Sequence, residues 1–524
     1  MNLSISMKVG FCVLFSMLSF AGESAPVNPF LAHSTYPLGH GNSAQQDSVD
    51  IRGPIEQSHF LQENEKRYTH LGPMHFGSLI SSPYVNNKRV IWSNGSDRIV
   101  KVDHETDEVI DTLYFSGKEE YTKKKADRVI KQLNSLTGKP AMLYALKQST
   151  MFKNLAGVYT LLDNNGHYYM GTNEGIAVYG DSIKGDANSK IKELRRFIKP
   201  AFITGSFIGM NMSFDGRIIL VTEHGFVLAL SRDFSSYSYT KMKFSEGKNK
   251  DSKTGYGWVR NGFAVDRDGG IYIASQNHMH KVVWTGTHLS TESVDGAWTS
   301  PYSNTTGNGT GSTPALMGFD GEDQFVVITD GDKLMNLTLF WRNSIPEDWK
   351  GIKNEDMRIA GKAAVDMGDP LRKALQSEQS VVVSGYGAAV VNNEPRNSFE
   401  KLPGQMNSLL VGFLGNDINY QPFGVQKFKW NSKKRKLEMD WVNKMISSPN
   451  AMPIVSKSSN IFYTVGARNS KWTIEGIDWT TGRSEFHYVV GDQKFNSLFS
   501  GLLLDENGEL MYGTIFGRVR INLK

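Results

Sequence analysis

The sequence predicts an all-β fold, a β-propeller of about eight four-stranded blades, and three observations carry that prediction. First, an apolar run, an Asp- or Asn-Gly turn and a second apolar run recur at intervals of roughly fifty residues. The phrase reads Val158-Tyr159-Thr160-Leu161-Leu162, Asp163-Asn164-Asn165-Gly166, His167-Tyr168-Tyr169-Met170. It returns at Asp215-Gly216, Asp266-Arg267-Asp268-Gly269, Asp320-Gly321 and Asp505-Glu506-Asn507-Gly508. Such turns join antiparallel strands, because Gly takes the left-handed backbone the turn needs and Asp bonds its own backbone. Second, a hairpin unit repeated at this period is one sheet repeated around an axis. Third, the last unit supplies only three strands before Lys524, so its outer strand must come from elsewhere in the chain.

The elements follow in order. Residues 1–21 read as a signal peptide: Lys8 is the positive charge, Val9 to Phe20 the short apolar core, and Ser19-Phe20-Ala21 the small-residue cut site, with Ala25 as the second choice. Residues 22–57, rich in Pro, Ser, Asn and Gly, read as an arm with little regular structure. A segment within about Val49 to Phe60 is expected to complete the last blade, closing the ring against fraying. The propeller itself is read over 58–524. Its first unit holds Arg89-Val90-Ile91-Trp92 and Ile99-Val100-Lys101-Val102, and four units centre on the turns at Asp163, Asp215, Asp266 and Asp320. A sixth, irregular unit holds Ser380-Val381-Val382-Val383 and the hairpin ending at Trp441; because of it, seven blades is the alternative count. The seventh holds Ile461 to Val465 and Trp472 to Asp478, and the eighth the strands from Gly501 to Asn522. Two stretches break the period. Residues 118–150 carry Ala126, Val129, Ile130, Leu133 and Leu136 at helical spacing, and 347–379 carry Ala360, Ala363, Ala364, Leu371 and Leu375, so both predict helical inserts. Trp92, Trp284, Trp341, Trp430, Trp441 and Trp479 are expected to pack between blades.

Composition narrows the function classes. The chain has 524 residues, 39% apolar, with a net charge of +5, which is too small and too dispersed for a nucleic-acid binder. The single cysteine, Cys12, lies in the leader, so the mature chain would hold no disulfide, thiolate metal site or cysteine nucleophile. No later segment is apolar enough for a membrane helix. The expectation is an exported protein, periplasmic or extracellular, and a monomer.

Candidate site residues come from the starts of inner strands. Asn261 precedes Gly262-Phe263-Ala264-Val265-Asp266, Asn211 holds the corresponding place before Met212-Ser213-Phe214-Asp215, and Asn450 precedes Ala451-Met452-Pro453. Three amides at equivalent blade positions would form a polar ring near the axis, suited to a cation, a sugar or water. Gly307-Asn308-Gly309-Thr310-Gly311-Ser312-Thr313-Pro314 is no phosphate loop, since no Lys follows its last Gly; it is expected at the channel mouth, contacting ligand through Ser312 and Thr313. His278 and His280 alternate on one strand face, and with His224 are the histidines worth placing; a hairpin tip is the expected location.

Residues 261–274 resemble a blade of the gluconolactonase and strictosidine-synthase-like propellers. That resemblance implies a calcium site with Asn261, and by position Asn211, as ligands, and a cation that polarises a lactone or ester carbonyl. The chain departs from the pattern in having no carboxylate at an inner-strand start; Glu174, Glu223 and Asp330 lie near such strands without identifying a site. Gly476-Ile477-Asp478-Trp479-Thr480-Thr481-Gly482-Arg483-Ser484-Glu485-Phe486 resembles the structural blade signature of quinoprotein propellers, with Gly476 and Phe486 in place of Ala and Trp. The vicinal cysteine pair found in many of those dehydrogenases is absent. Two functions therefore stand: a secreted or periplasmic scaffold that binds a small molecule, glycan or protein through its central channel or one face, with no cofactor, or a calcium-assisted hydrolase of lactones or esters.

Overall fold

A computed structural model describes residues 24–523 except 76, 149–150, 152–158, 173, 247–257, 320–322 and 398–409. The leader, 1–21, and the Asp320-Gly321 turn lie outside the described residues. Eight sheets surround a central axis, so the count is eight rather than seven. The blades span 79–114, 160–198, 207–241, 264–301, 315–364, 382–443, 454–491 and 502–521. Within the blades consecutive strands pair antiparallel from the axis outward, as hairpin repeats require, save that in blade four Leu289–Ser290 and Trp298–Pro301 both pair with His278–Trp284.

The predicted turns do what their chemistry implies. Asp163 Oδ1 accepts from the N–H groups of Asn165 and His167, and Asp266 Oδ1 from those of Asp268 and Gly270. Their second oxygens accept from the hydroxyls of Tyr169 and Tyr272 on the next strand. Asp505 Oδ1 repeats the pattern with Asn507 and Glu509. One carboxylate oxygen of each of Asp163, Asp266 and Asp505 is thus spent on its own turn. The tryptophans lie between blades: Trp92 stacks on Tyr168 of the following blade at 5.5 Å, while Trp284 Nε1 donates to Asp215 and Trp430 Nε1 to Asp323, each of these two reaching the preceding blade.

Three expectations need correction. Val49 to Phe60 does not complete the last blade. Ser48–Val49 pairs in parallel with Ile454–Ser456 and His59–Phe60 in parallel with Ser484–Gly491, so this segment runs along both edges of blade seven. The outer strand of blade eight is Lys66–His70, antiparallel to Gly517–Ile521. Gly53-Pro54 interrupts the earlier segment, and proline cannot donate to a ladder. The stretch 347–379 contains no helix; its alanines belong to Ile359–Ala364, the outer strand of blade five. There Gly361 lies against Leu437 of blade six, where a Cβ would come within 2.8 Å of that side chain. The insert at 118–150 is helical: α1 (Lys123–Ser135), capped by Thr122, and α2 (Gly138–Gln148). Ala126, Val129 and Leu133 of α1 pack with Phe413, Leu414 and Phe516.

The arm departs most from expectation. Residues 28–50 hold little regular strand yet are largely buried, and they close one mouth of the channel. The innermost strand of each blade is an edge strand, and its unpaired N–H groups face the axis. Arm carbonyls accept from them in sequence: Tyr36 from Ile80, Pro37 from Leu162, Ser43 from Val265, Ala44 from Leu316, Gln46 from Val383 and Asp47 from Val455, at 2.8–3.0 Å. Asn28 Nδ2 donates to Met212 O of blade three, and Thr35 N–H to the Glu506 side chain of blade eight. Every blade therefore touches the arm. Within it His40 Nδ1 and Asp47 Oδ2 are 2.6 Å apart, both buried, and His40, Gln45 and Asp47 adopt φ of 63°, 58° and 52°. A left-handed non-glycine residue costs about 1 kcal/mol or more, a cost that persists only where packing and hydrogen bonds fix the path.

Candidate functional site

Chain direction sorts the connections onto two faces. The first-hairpin turns, such as 163–166 and 505–508, share a face with the arm. The links between blades and the second-to-third-strand turns lie on the opposite, loop face, which carries the helical insert and, among the described residues, the connecting stretches 258–263, 302–314, 365–381, 392–397 and 410–424. The candidate site is the channel mouth on that loop face.

A chain of polar contacts crosses blades there. Arg260 Nε donates to Thr310 O at 2.9 Å, and its Nη1 donates to Glu378 Oε2 at 3.0 Å. Asn261 Nδ2 donates to the same Thr310 carbonyl. Glu378 N–H and the Ser377 hydroxyl donate to Asn393 Oδ1, and Asn393 Nδ2 donates to Pro449 O. Asn450 Nδ2 donates to Gly412 O and Asn496 Oδ1, while the Ser497 hydroxyl donates to Asn450 Oδ1. Tyr159 lies over Gly262 and Thr313, and burial raises its phenol above the ordinary value despite hydrogen bonding there. Buried amides and hydroxyls bonded in this way hold loops from blades four to eight in one arrangement.

The predicted residues divide. Asn261 stands at this rim, half-buried. Asn211 is fully buried lower in the channel: its Nδ2 donates to the carbonyls of Ser43 and Phe263 at 3.0 Å and its Oδ1 accepts from Met212 N–H, so it anchors the arm. Asn450 is equally buried and bonded. Ser312 is not a mouth residue, because its hydroxyl accepts from Thr329 N–H at 3.0 Å inside blade five. Thr313 is buried too, its N–H on the Ser380 hydroxyl. The three asparagines therefore form no open ring; inner-strand starts face neighbouring loops as well as the axis. Arg260, Glu378, Asn393 and Asn496 escaped the sequence reading. Arg260 adjoins Asn261 and was within reach of it, whereas the other three lie on loops with no period.

A calcium ion needs six to eight oxygen ligands. Asn211 Oδ1 is already occupied by the Met212 N–H. Among the described residues no group of three or more His, Cys, Asp or Glu side chains is placed to hold a metal. The residues present do not fit a calcium site. His280 is a satisfied core histidine rather than a hairpin-tip residue: its nitrogens lie 2.8 Å from Ser275 Oγ and 3.2 Å from Thr299 Oγ1, and burial pushes its pKa down to about 3. His278 lies beside it, ring centroids 6.1 Å apart, while His224 meets Thr204 and Trp258 on a separate loop.

Eight blades around an axis sealed at one mouth make this chain an eight-bladed β-propeller with one elaborated face. No protein-family profile matches it. It is 29% identical over 514 residues to an uncharacterized protein of Archaeoglobus fulgidus, covering 96% of this chain and 90% of that one. Among solved structures, quinohemoprotein alcohol dehydrogenase from Comamonas testosteroni aligns over 94% of this chain and 78% of its own, with a TM-score of 0.52 and 12% identity. Streptogramin B lyase aligns over 88% of this chain and 99% of its own, with a TM-score of 0.35 and 9% identity. The likeness to the first of these two structures is one of propeller fold, held at the level of blades.

The quinoprotein-like signature of blade seven explains its own departures. A Cβ on Gly476 would stand 2.2–2.6 Å from the Phe486 ring. Phe486 stacks on Tyr488 at 4.8 Å and meets Tyr463 at 6.0 Å, so the aromatic ring occupies the space that an alanine at 476 would need.

Proposed function

We propose that this propeller is an exported binding scaffold whose working surface is the loop face and the channel mouth within it. The observation that carries the reading is the arm. A chain that fills the opposite mouth with its own backbone, one blade after another, leaves the loop face as the side from which the axis is approached. The polar rim at Asn261 and Glu378, braced by Arg260 and the buried Asn393, suits recognition of hydroxyl, amide or charged groups on a small molecule, glycan or protein. Export is supported by the leader pattern at Lys8, Val9–Phe20 and Ala21 and by the absence of cysteine from the sequence after residue 12. Among the described residues no helix is long and apolar enough to cross a membrane. Calcium-assisted hydrolysis is not proposed, because the residues that the resemblance nominates do not build its metal site.

The test is face-selective photo-cross-linking in the native host. Phe202 and Ile418 are exposed on the loop face, and Val85 and Ile183 on the turn face. A photoreactive residue at Phe202 or Ile418 is expected to trap a partner, and one at Val85 or Ile183 to trap none. Cross-links arising only from the turn face would refute the reading, and cell fractionation of the same strain checks export.

A further inference from the structure

A groove on the loop face, between the helical insert and blade one, is lined by an excess of positive charge. Its volume is about 860 Å³. Five basic side chains line it, Lys118, Lys125, Arg128, Lys131 and Lys147, against two acidic ones. One of those two, Asp97, is already committed: Arg98 binds it through both nitrogens at 2.7–2.8 Å, and Tyr121 N–H donates to it at 2.9 Å. The remaining carboxylate is Glu119. For a chain whose formal charge is only +5, this is a strong local concentration. Among the described residues Lys118, Arg128 and Lys131 make no ion pair, while Lys125 rests over the Tyr121 ring at 4.4 Å.

The helix that presents this row gains nothing from it. Lys125, Arg128 and Lys131 follow one another at i, i+3 along one stripe of α1, where like charges repel and destabilise the helix. Lys123, Lys124 and Lys125 occupy its first turn, which holds no acidic residue, although the positive end of the helix dipole favours anions there. Lys123 has Asp127 as a partner at 2.7 Å; the stripe facing the groove has no such compensation. The apolar side of α1 is consumed by packing, so the helix is held in place by its core and not by its charges. An anion in the groove would remove an electrostatic penalty that the free protein carries.

We propose that this groove binds an oligoanion, a chain or small molecule bearing several sulfate, phosphate or carboxylate groups, and so gives the binding-scaffold reading, on which it rests, a ligand class. The volume accommodates several anionic groups at once. Ser96, Gln132 and Ser135 supply hydroxyl and amide groups between the cations, and Tyr144 an aromatic wall.

Titration calorimetry on the full mature chain tests this with three probes: a sulfated oligosaccharide, an oligouronate and tripolyphosphate. Saturable binding of at least one is expected, weakening as salt rises from about 50 to about 200 mM, since exposed charges are screened over a Debye length of about 10 Å. The preferred probe identifies the source of the anionic groups. The triple variant Lys118→Gln, Arg128→Gln, Lys131→Gln keeps good helix formers on α1 and is expected to lose affinity about tenfold, as the sum of three partly exposed contacts. A control removing the same charge from the opposite face, Lys190→Gln, Lys433→Gln, Lys436→Gln, is expected to bind like wild type. No saturable binding of any probe, or equal losses in both variants, would overturn the proposal. If cross-links from Phe202 or Ile418 persist in that case, the scaffold reading stands without this site; if they too are absent, the scaffold reading has failed.

Discussion

Replacing Asp107 by asparagine puts the closure of the ring to a quantitative test. Asp107 sits in the third-to-fourth-strand turn of blade one and faces blade eight. Its Oδ1 accepts from Arg518 Nη1 at 2.7 Å, and its Oδ2 from Arg520 Nε at 2.8 Å and Arg67 Nη1 at 3.1 Å. Arg518 and Asp107 are each 1% exposed. Burial pushes the Arg518 pKa down to about 10 while the Asp107 charge raises it, so the aspartate favours the buried guanidinium's charged form. Arg520 keeps Asp505 at 2.9 Å and Glu509, so most of the loss falls on Arg518. Removing one partner of a buried ion pair costs about 3–5 kcal/mol, and the partial compensation at Arg520 favours the lower end, about 3 kcal/mol. Urea unfolding followed by circular dichroism and by tryptophan fluorescence measures the change, provided both probes report one transition. The double variant Asp107→Leu, Arg518→Met removes both charges and should be less destabilised than the two single costs summed. A loss below about 1 kcal/mol for Asp107→Asn, or strict additivity in the double variant, would refute the view that this pair locks the first and last blades together.

Four further outcomes are expected. Gly476→Ala should destabilise the fold by about 1–3 kcal/mol through collision with Phe486, and Phe486→Leu in the same chain should restore part of that in urea unfolding. Buried His75 and His280, both pushed down to about 3, stay neutral when folded and protonate near 6.5 when unfolded, so stability should fall as pH drops from 6.5 toward 3. Burial raises Asp330 to about 6 and gives the opposite sign, stability lost as pH rises from 3.8 through 6; Asp330→Asn should therefore steepen the acid loss between pH 4 and 6 in unfolding curves. Calcium should raise the melting temperature no more than magnesium at equal ionic strength, and Asn261→Ala should leave that comparison unchanged; a stoichiometric calcium ion lost in Asn261→Ala would return the hydrolase reading.

The architecture was readable because a propeller repeats local chemistry. Asp-Gly turns and the tyrosine six residues after Asp163 and Asp266 act over one hairpin, so their spacing survives in one dimension. The arm was not readable. Its closure of the channel uses the main-chain carbonyls of Tyr36, Pro37, Ser43, Ala44, Gln46 and Asp47, and backbone acceptors leave no mark in side-chain pattern. Low regularity was expected there and is present, but irregular backbone does not mean unstructured backbone when six strand edges supply the donors. Lys66–His70 escaped for a related reason: a single outer strand has no hairpin partner beside it in sequence. The alanines of 359–364 fit a helical period and became a strand because the neighbouring blade demands small residues at that edge, as Gly361 against Leu437 shows. At the site, the asparagines at strand starts were recognised as structurally special, but what each faces depends on loops from other blades. Asn211 meets the arm, Asn450 meets residues 411–412 and 496–497, and only Asn261 reaches the rim with Arg260.

Hydrogen–deuterium exchange at the inner-strand amides tests the sealed mouth most directly. The amides of Val265, Leu316, Val383 and Val455 have arm carbonyls as their acceptors. In the intact chain they should exchange as slowly as the central strands of their blades, and in a chain lacking residues 22–50 they should exchange far faster. Fast exchange at these four amides in the intact chain would mean an open channel at that mouth, and with it the loss of the reason for placing the working surface on the loop face.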